Sequence, residues 1–206
     1  MKVFFYDVTP LYDGENFKTA YNSVSEKRKE KTDAFRFQKD KCLSLGAELV
    51  LYKALDELKI PKDKRKIAIA ENGKPYLAEC ESVFFNLSHS GLLAMCVTAE
   101  RSVGCDIEKV EKCNIQVAER KFSKPEFEYI SAGLTPEEKN KRFYRVWTMK
   151  ESFLKATGVG IAYPLESFSV VDKKGKALPV EYKGKLFEIE NIEVPGYASA
   201  VCLQID

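Results

Sequence analysis

The sequence lacks the features that would place it in a membrane or outside a cell. No apolar run approaches the roughly 18 to 20 residues that a membrane-spanning helix requires, and Asp7 interrupts the N-terminal apolar stretch before it could form a signal-peptide core. The six cysteines include no CxxC pair, and there is only 1 histidine. We therefore expect a cytoplasmic protein with no membrane contact, whose cysteines are reduced core residues and neither disulfides nor zinc ligands.

Other absences narrow the chemistry. The chain has no Walker-type Gly-rich loop, which argues against the use of nucleoside triphosphates. No GxSxG motif surrounds a serine, so a Ser-His-Asp hydrolase is not supported. The formal net charge is only +2, yet 33 Lys and Arg and 31 Asp and Glu residues leave local patches of both signs. Net charge therefore does not define the partners, and we expect no nucleic acid among them.

Strand and helix patterns alternate along the chain without a low-complexity linker. Long amphipathic helices are predicted at about 38–59 and 136–157, each long enough to cover a sheet. The predicted strands are 3–8, 66–70, 83–90, 92–99, 103–108, 167–172, 185–194 and 197–205. Apolar strands that open with Gly91 and Gly196 follow the two helices at similar places. This echo indicates two similar halves or a coincidence, and by itself it favours neither.

Two carboxylates stand one residue apart in VGCDIEK, a stretch that otherwise looks like a buried strand. On a strand, Asp106 and Glu108 share one face, while the residue between them faces the other. Adjacent like charges repel unless a cation or a proton intervenes, and oxygen ligands of this kind suit Mg²⁺. The alternative is a solvated strand end with Lys109 and Lys112 as counter-charges, and the pair alone favours that alternative.

The run RFYRVWTMKESFLKATG, residues 142–158, covers most of the second predicted helix and carries a lysine inside the apolar stripe of that helix. Burial of the Lys150 ammonium is expensive unless it meets an anion, which indicates an internal carboxylate partner or a bound phosphate. Glu151 and Lys155 are four residues apart and therefore neighbours on the helix surface. Taken alone, they would be an ordinary surface ion pair.

Two loop regions could face an anion. Ser88 and His89 follow an apolar strand and precede a glycine, where side chains and backbone N–H groups can face a phosphate. A lone histidine is otherwise a structural hydrogen-bonding residue. The Asn72-Gly73 pair marks a tight turn that presents Lys74 at its edge, although such a turn is unremarkable by itself.

In combination these stretches resemble the 4′-phosphopantetheinyl transferases of the larger, surfactin-synthetase-activating type. The most specific signature is Gly104-x-Asp106 followed by Trp147-x-x-Lys150-Glu151-x-x-x-Lys155. The resemblance covers nearly the whole chain through KR (27–28), NGKP (72–75), FNLSHSG (85–91), VGCDIEKV (103–110), KFSKPEF (121–127), WTMKESFLKATG (147–158), PLESFSV (164–170) and VPGYASAVC (194–202). It implies an α+β monomer with a pseudo-twofold arrangement of two similar α/β halves, 1–102 and 103–206, each a small sheet packed against a long helix.

The resemblance also implies an activity and its residues. Such an enzyme transfers the 4′-phosphopantetheine arm of coenzyme A to a serine of an apo acyl or peptidyl carrier protein, in fatty-acid, polyketide or nonribosomal peptide synthesis, and releases 3′,5′-ADP. Asp106, Glu108 and Glu151 would hold Mg²⁺, and Lys155 would contact the pyrophosphate. Glu151 is the candidate for accepting the serine proton, with a metal-bound water and Glu126 as alternatives.

Coenzyme A contacts are implied in both halves. The implied residues are Lys27, Lys31, Lys74, Ser88, His89, Lys150 and Lys155. His89, with Lys27, Lys31 and Lys74, would lie near the 3′-phosphate and adenine end, in the half 1–102. The chain departs from its relatives where Cys42 and Leu43 replace an Arg and a Thr. Carrier docking is assigned to Val159, Gly160 and Ile161. The alternatives are a coenzyme A or carrier-binding module without chemistry, and another Mg²⁺-dependent phosphoryl-transfer enzyme.

Overall fold

A computed structural model describes residues 1–160 and 162–206. The helices are α1 (Gly14–Ser23), α2 (Glu26–Asp33), α3 (Gln38–Glu57), α4 (Ile115–Lys121), α5 (Lys124–Ser131) and α6 (Pro136–Thr157). The strands are β1 (Lys2–Asp7), β2 (Ile67–Ile69), β3 (Pro75–Leu77), β4 (Phe84–Ser90), β5 (Leu93–Ala99), β6 (Val103–Lys109), β7 (Val180–Tyr182), β8 (Lys185–Asn191) and β9 (Tyr197–Gln204).

The strands form three antiparallel sheets, and a long helix covers each of the two larger ones. The sheet orders are β1-β5-β4, β2-β3 and β6-β9-β8-β7. Helix α3 packs on β5 and β1, whereas α6 packs on β6 and β9. Gly91 and Gly196 adopt positive φ angles of 60° and 78° in the turns before β5 and β9, which are equivalent places in the two sheets. The predicted α+β class and its two-half arrangement are confirmed.

The ends of α6 follow from its sequence. The Thr135 side chain accepts a hydrogen bond from the backbone N–H of Glu138, and Pro136 stands in the first turn, where a missing N–H costs nothing. The helix ends at Gly158, whose φ of 71° is left-handed. The boundaries of α3 and α6 therefore agree with the predicted helices to within a few residues.

A fully buried apolar layer joins the two larger sheets. Met95 and Val97 of β5 meet Val103, Cys105 and Ile107 of β6 in this layer, and none of the five side chains is exposed. Because side chains alternate along a strand, the even-numbered residues of β6 point the other way, toward α6. The strand that carries the two carboxylates is thereby fixed between two packed surfaces.

The predicted strand at 167–172 is wrong. The structure has a 3₁₀ turn at Leu165–Ser167 and only an isolated bridge between Val171 and Ala177. Side chains satisfy the backbone groups of this segment, since the Lys150 ammonium donates to the carbonyls of Leu165 and Phe168. A strand ladder is therefore not needed here.

All six cysteines are free, as predicted. Four of them, Cys42, Cys96, Cys105 and Cys202, are buried in the core. Among the described residues, no helix combines the length and the apolar character needed to cross a membrane.

Candidate active site

Strands β4 and β6 belong to different sheets, and side chains connect them. Three alternate side chains of β4 accept hydrogen bonds from three alternate backbone N–H groups of β6. The pairs are Asn86 with Cys105 (2.9 Å), Ser88 with Ile107 (3.3 Å) and Ser90 with Lys109 (3.1 Å). We call this β4–β6 contact the seam, and it brings polar residues of one half beside the carboxylates of the other.

The two carboxylates of β6 are held on the seam. Asp106 is buried, and its Oδ1 accepts hydrogen bonds from Lys155 Nζ at 2.6 Å and from the Ser88 hydroxyl at 2.7 Å. Oε2 of Glu108 accepts a hydrogen bond from the Ser90 hydroxyl at 2.7 Å. Asp106, Glu108, Ser88 and Lys155 were predicted site residues, and the structure brings these four together.

Gly104 explains how α6 reaches this strand so closely. A Cβ atom at position 104 would lie 2.1 Å from the carbonyl oxygen of Ser152 and 2.3 Å from the backbone nitrogen of Ala156. Such distances are impossible for a side chain, so only glycine lets the α6 backbone approach β6 to this extent. The approach places Glu151 and Lys155, one helical turn apart, beside Asp106.

Acidic groups outnumber basic groups among the charged residues beside Asp106. Burial raises the pKa of Glu151, and the charges of Asp106 and Glu108 raise it further. Burial likewise raises the pKa of Glu108. For Lys155, burial by itself would lower the pKa, but the charge and hydrogen bond of Asp106 together with the charges of Cys105 and Glu151 outweigh that effect, and the pKa is raised. Three acidic groups and one ammonium therefore share the site, an arrangement that would attract a further cation.

The donor set fits a hard divalent cation such as Mg²⁺. Among the described residues, two buried side-chain oxygens have no hydrogen-bond partner, Asp106 Oδ2 and Glu151 Oε1. An unsatisfied buried oxygen costs about 1 to 3 kcal/mol, and considerably more when it is charged. Carboxylate oxygens are the ligands that Mg²⁺ prefers. The part of the chain that the structure describes holds no preassembled cluster of three metal-ligating side chains, so the predicted ligand set stays a prediction.

A basic cavity of about 500 Å³ lies on the other side of β4. Five cationic residues are among those that line it: Lys27, Arg28, Lys31, Arg65 and Lys66. Lys27 and Lys31 were predicted, whereas Arg28, Arg65 and Lys66 were not assigned. Their signal was present in the dense runs of basic residues, but a run does not tell which of its side chains turn toward one cavity.

A buried glutamate positions Arg28 at the wall of this cavity. Glu48 Oε2 accepts a hydrogen bond from Arg28 Nε at 3.0 Å, and Glu48 also accepts hydrogen bonds from Tyr52 and from the backbone and side chain of Ser25.

His89 lies near the same basic residues. Burial lowers the pKa of His89, and the charges of Lys31, Lys155 and Arg28 lower it further.

A second cavity of about 230 Å³ adjoins the basic cavity and reaches one of the three site carboxylates, Glu151. It is lined by residues that include Glu151 and Lys155. The two cavities share Gly73, Pro75 and Leu87 as wall residues. The two cavities therefore adjoin each other, and we call them together the cleft, with a basic end and a carboxylate end at Glu151.

The ammonium of Lys74 joins the two halves, and the coenzyme A contact predicted for this residue stays a prediction. Lys74 Nζ donates to the carbonyls of Val103 and Ala156, each at 3.0 Å. Asn72, in the same turn, donates to the carbonyl of Gly158 at 3.2 Å. Burial lowers the pKa of Lys74 to about 8. The ammonium thus fixes the turn that forms the shared wall of the cleft, and Lys74 is itself among the residues that line the second cavity.

The prediction that Lys150 contacts a phosphate is corrected. Lys150 Nζ lies 2.9 Å from Glu126 Oε2 and donates to the carbonyls of Leu165 and Phe168 at 2.7 Å, so all three of its N–H donors are used. The side chains of Lys150 and Glu126 are 1% and 0% exposed. Glu126 also accepts from the backbone N–H of Ser123 in a capping box. Of the two predicted partners for Lys150, a carboxylate and a bound phosphate, the structure shows the carboxylate, Glu126. Glu126 therefore serves as the counter-charge of Lys150 inside the fold.

The residues assigned to carrier docking follow α6. Val159 is half-buried against the core beneath α6, and Gly160 is exposed at the wall of the second cavity. Ile161 lies outside the described residues.

Two family models match consecutive parts of the chain. The family described as the 4′-phosphopantetheinyl transferase superfamily matches residues 102–202. The family described as 4′-phosphopantetheinyl transferase, N-terminal, matches residues 12–101. Together they cover most of the chain and both ends of the cleft.

Two bacterial relatives match over nearly the full length of the chain. 4′-Phosphopantetheinyl transferase Sfp of Bacillus subtilis is 30% identical over 211 residues, which cover 98% of this chain and 92% of the relative. 4′-Phosphopantetheinyl transferase psf-1 of Bacillus pumilus is 31% identical, covering 98% and 89%. The human L-aminoadipate-semialdehyde dehydrogenase-phosphopantetheinyl transferase is 32% identical over 161 residues, covering 71% and 52%. The chain therefore belongs to the 4′-phosphopantetheinyl transferase superfamily and is an enzyme of that family.

Proposed function

We propose that this enzyme transfers the 4′-phosphopantetheine arm of coenzyme A to a serine of an apo acyl or peptidyl carrier protein and releases 3′,5′-ADP. The observation that carries the proposal is the cleft of two adjoining cavities, one lined by basic residues and the other by Glu151 and Lys155. Coenzyme A has a 3′-phosphate and a pyrophosphate, two separate anionic groups. The basic cavity suits the first, and a cation held by the carboxylates together with Lys155 suits the second.

The two halves take different parts of the substrate in this proposal. Residues 1–102 would bind the nucleotide end, and residues 103–206 would supply the carboxylates, Lys155 and the docking surface. The basic cavity, built largely by α2, α3 and the β2–β3 turn, supports this division. The two family models also meet between residues 101 and 102.

The metal ligands would be Asp106, Glu108 and Glu151. When bound there, Mg²⁺ supplies positive charge beside the phosphoryl group that is transferred. The support lies in the two buried carboxylate oxygens, of Asp106 and Glu151, that have no partner among the described residues. Chelation of divalent cations should therefore abolish transfer.

Lys155 would stabilise the leaving group. Its ammonium has three N–H donors, and Asp106 and Ser88 use two of them. The third donor can bind an oxygen of the pyrophosphate, where negative charge grows as the bond to 3′,5′-ADP breaks. A fixed ammonium in a partly buried site stabilises such charge strongly.

Glu151 is our candidate for accepting the proton of the attacking serine. It lines the carboxylate end of the cleft, and Glu126, the rival candidate, is fully engaged elsewhere. The carrier serine would enter beside Gly158 and Gly160, which line the same cavity. We propose that the carrier docks on Val159 and Gly160, next to this entrance, and on Ile161, which lies outside the described residues.

We further propose that the enzyme acts as a monomer in the cytoplasm. A single chain supplies residues for both ends of the cleft. The six free cysteines are what a reducing compartment favours.

The direct test is incubation with an apo carrier protein, coenzyme A and Mg²⁺, followed by intact mass measurement of the carrier. We expect one phosphopantetheine adduct per carrier, and none when EDTA is present. Carriers from fatty-acid, polyketide and peptide synthesis should all be tried. Absence of an adduct on every carrier, with coenzyme A still bound, would indicate a binding module and contradict the proposal.

A further inference from the structure

Ser88 and Ser90 each make the same two hydrogen bonds across the seam. Ser88 accepts from the backbone N–H of Ile107 and donates to Asp106 Oδ1 at 2.7 Å. Ser90 accepts from the backbone N–H of Lys109 and donates to Glu108 Oε2 at 2.7 Å. In each case a single hydroxyl accepts from a backbone N–H of β6 and donates to the carboxylate of the residue that precedes this N–H in the sequence.

In this arrangement neither serine has a hydroxyl hydrogen left for another acceptor. A serine hydroxyl has one hydrogen, and in both residues it is donated to a carboxylate. Neither hydroxyl can then donate to a phosphate of coenzyme A in this geometry. The coenzyme A contact that the family resemblance implied for Ser88 stays a prediction.

The contacts decide which carboxylate oxygens stay available. Ser88 and Lys155 both take Oδ1 of Asp106, and the remaining oxygen, Oδ2, is buried with no partner among the described residues. Ser90 takes Oε2 of Glu108 and so fixes which oxygen of that carboxylate faces β4. Each serine thus orients a carboxylate by a hydrogen bond, and the carboxylate, not the serine, would be the ligand of the cation.

We propose that Ser90, together with Ser88, is a positioning residue for the cation site. The two serines lie on β4 in one half and orient Asp106 and Glu108 on β6 in the other, so cation affinity depends on correct contact between the halves. The inference rests on the proposed function, because it takes these carboxylates as cation ligands. Hydrogen bonds from neighbouring residues to metal ligands change metal affinity by roughly 10-fold to 100-fold.

The test compares Ser90→Ala with a matched serine that touches no carboxylate. Ser199 lies on β9, the neighbour of β6, and its hydroxyl donates to the carbonyl of Ile192. Ser199→Ala therefore removes an equally small hydroxyl from the same sheet. Binding of Mn²⁺, a paramagnetic probe for the site, is titrated by electron paramagnetic resonance in the presence of saturating coenzyme A, and folding is checked by thermal unfolding.

We expect Ser90→Ala to weaken Mn²⁺ binding roughly 10-fold, whereas Ser199→Ala binds as the wild type does. Ser90→Thr, which keeps the hydroxyl, should recover most of the affinity. Equal Mn²⁺ affinity in the Ser90→Ala and Ser199→Ala proteins would overturn the positioning role while leaving the proposed function intact. If the wild type bound no Mn²⁺ with coenzyme A present, the cation site itself would fail, and the positioning role with it.

Discussion

Lys155 Nζ lies 2.6 Å from Oδ1 of Asp106 and so joins the last turns of α6 to the centre of β6. The ammonium leaves the second oxygen of Asp106 untouched, and that oxygen is buried without a partner among the described residues. If Asp106 served only the stability of the fold, we would expect both of its carboxylate oxygens to have partners. Because only Oδ1 has partners, Asp106 suits the binding of a further cation through Oδ2.

Asp106→Asn should lower transfer by at least about 100-fold, because the amide cannot replace a carboxylate ligand. The amide oxygen can still accept hydrogen bonds from Ser88 and Lys155, so the fold should persist. Steady-state transfer assays and thermal unfolding measure the two effects. Asp63→Asn, in an exposed turn, is the control and should behave as the wild type. Turnover near the wild-type rate in the Asp106→Asn protein would sink the metal assignment.

Gly104→Ala should separate α6 from β6, because the new Cβ would lie 2.1 Å from the carbonyl oxygen of Ser152. Overpacking of this kind costs about 1 to 3 kcal/mol or more. The displaced helix carries Glu151 and Lys155, and a shift of about 1 Å in such groups can lower activity about 100-fold. Urea unfolding and transfer assays measure both effects.

The control for this substitution is Gly14→Ala, where an added Cβ has no neighbour within 4 Å. It should keep wild-type stability and activity. If Gly104→Ala also behaved in this way, the close approach of α6 would not be the reason for a glycine in the motif.

Lys150→Met should destabilise the fold by about 3 to 5 kcal/mol, because it leaves the fully buried Glu126 without its counter-charge. The free energy of unfolding, from urea titration, measures the loss. The KM for coenzyme A of the folded protein should be unchanged, since the ammonium lies outside the cleft. Lys150→Met combined with Glu126→Gln should recover part of the stability. A large rise in KM with little loss of stability would instead favour a phosphate contact.

Lys74→Met should change how stability depends on pH. The pKa of Lys74 is lowered to about 8 in the folded protein, from an ordinary value of 10.5. Between these two values the unfolded chain binds more protons at this lysine than the folded chain does. This group therefore makes the free energy of unfolding rise as the pH increases from about 8 toward 10.5. Removal of the amine should remove that rise.

The measurement is urea unfolding of wild type and Lys74→Met at pH 7.5 and pH 9.5. We expect the wild type to gain stability relative to the variant by on the order of 1 to 3 kcal/mol across the interval. Lys173→Met, in an exposed turn, should follow the wild type. Parallel pH profiles for wild type and Lys74→Met would show that the amine is not buried as described.

Several local features could be predicted because their causes are local. Helical periodicity and the Thr135 and Gly158 end signals place α6, and strand alternation places Asp106 and Glu108 on one face. The strand expected at 167–172 was wrong for the opposite reason. Its hydrogen-bond partners, Lys150 among them, lie on another element and leave no trace in the local pattern.

The family, the α+β class and the acidic, basic or apolar character of each segment can be predicted without a structure, because they follow from residue types at fixed spacings. Where each charge is used becomes clear only in the folded chain. Lys150 and Lys155 stand on the same helix, yet one is buried against Glu126 and the other faces Asp106 in the cleft. Lys74 likewise joins its turn to β6 and α6, and Ser90 acquires a carboxylate partner. The use of a charge depends on which distant element packs against it, and that is a property of the folded chain alone.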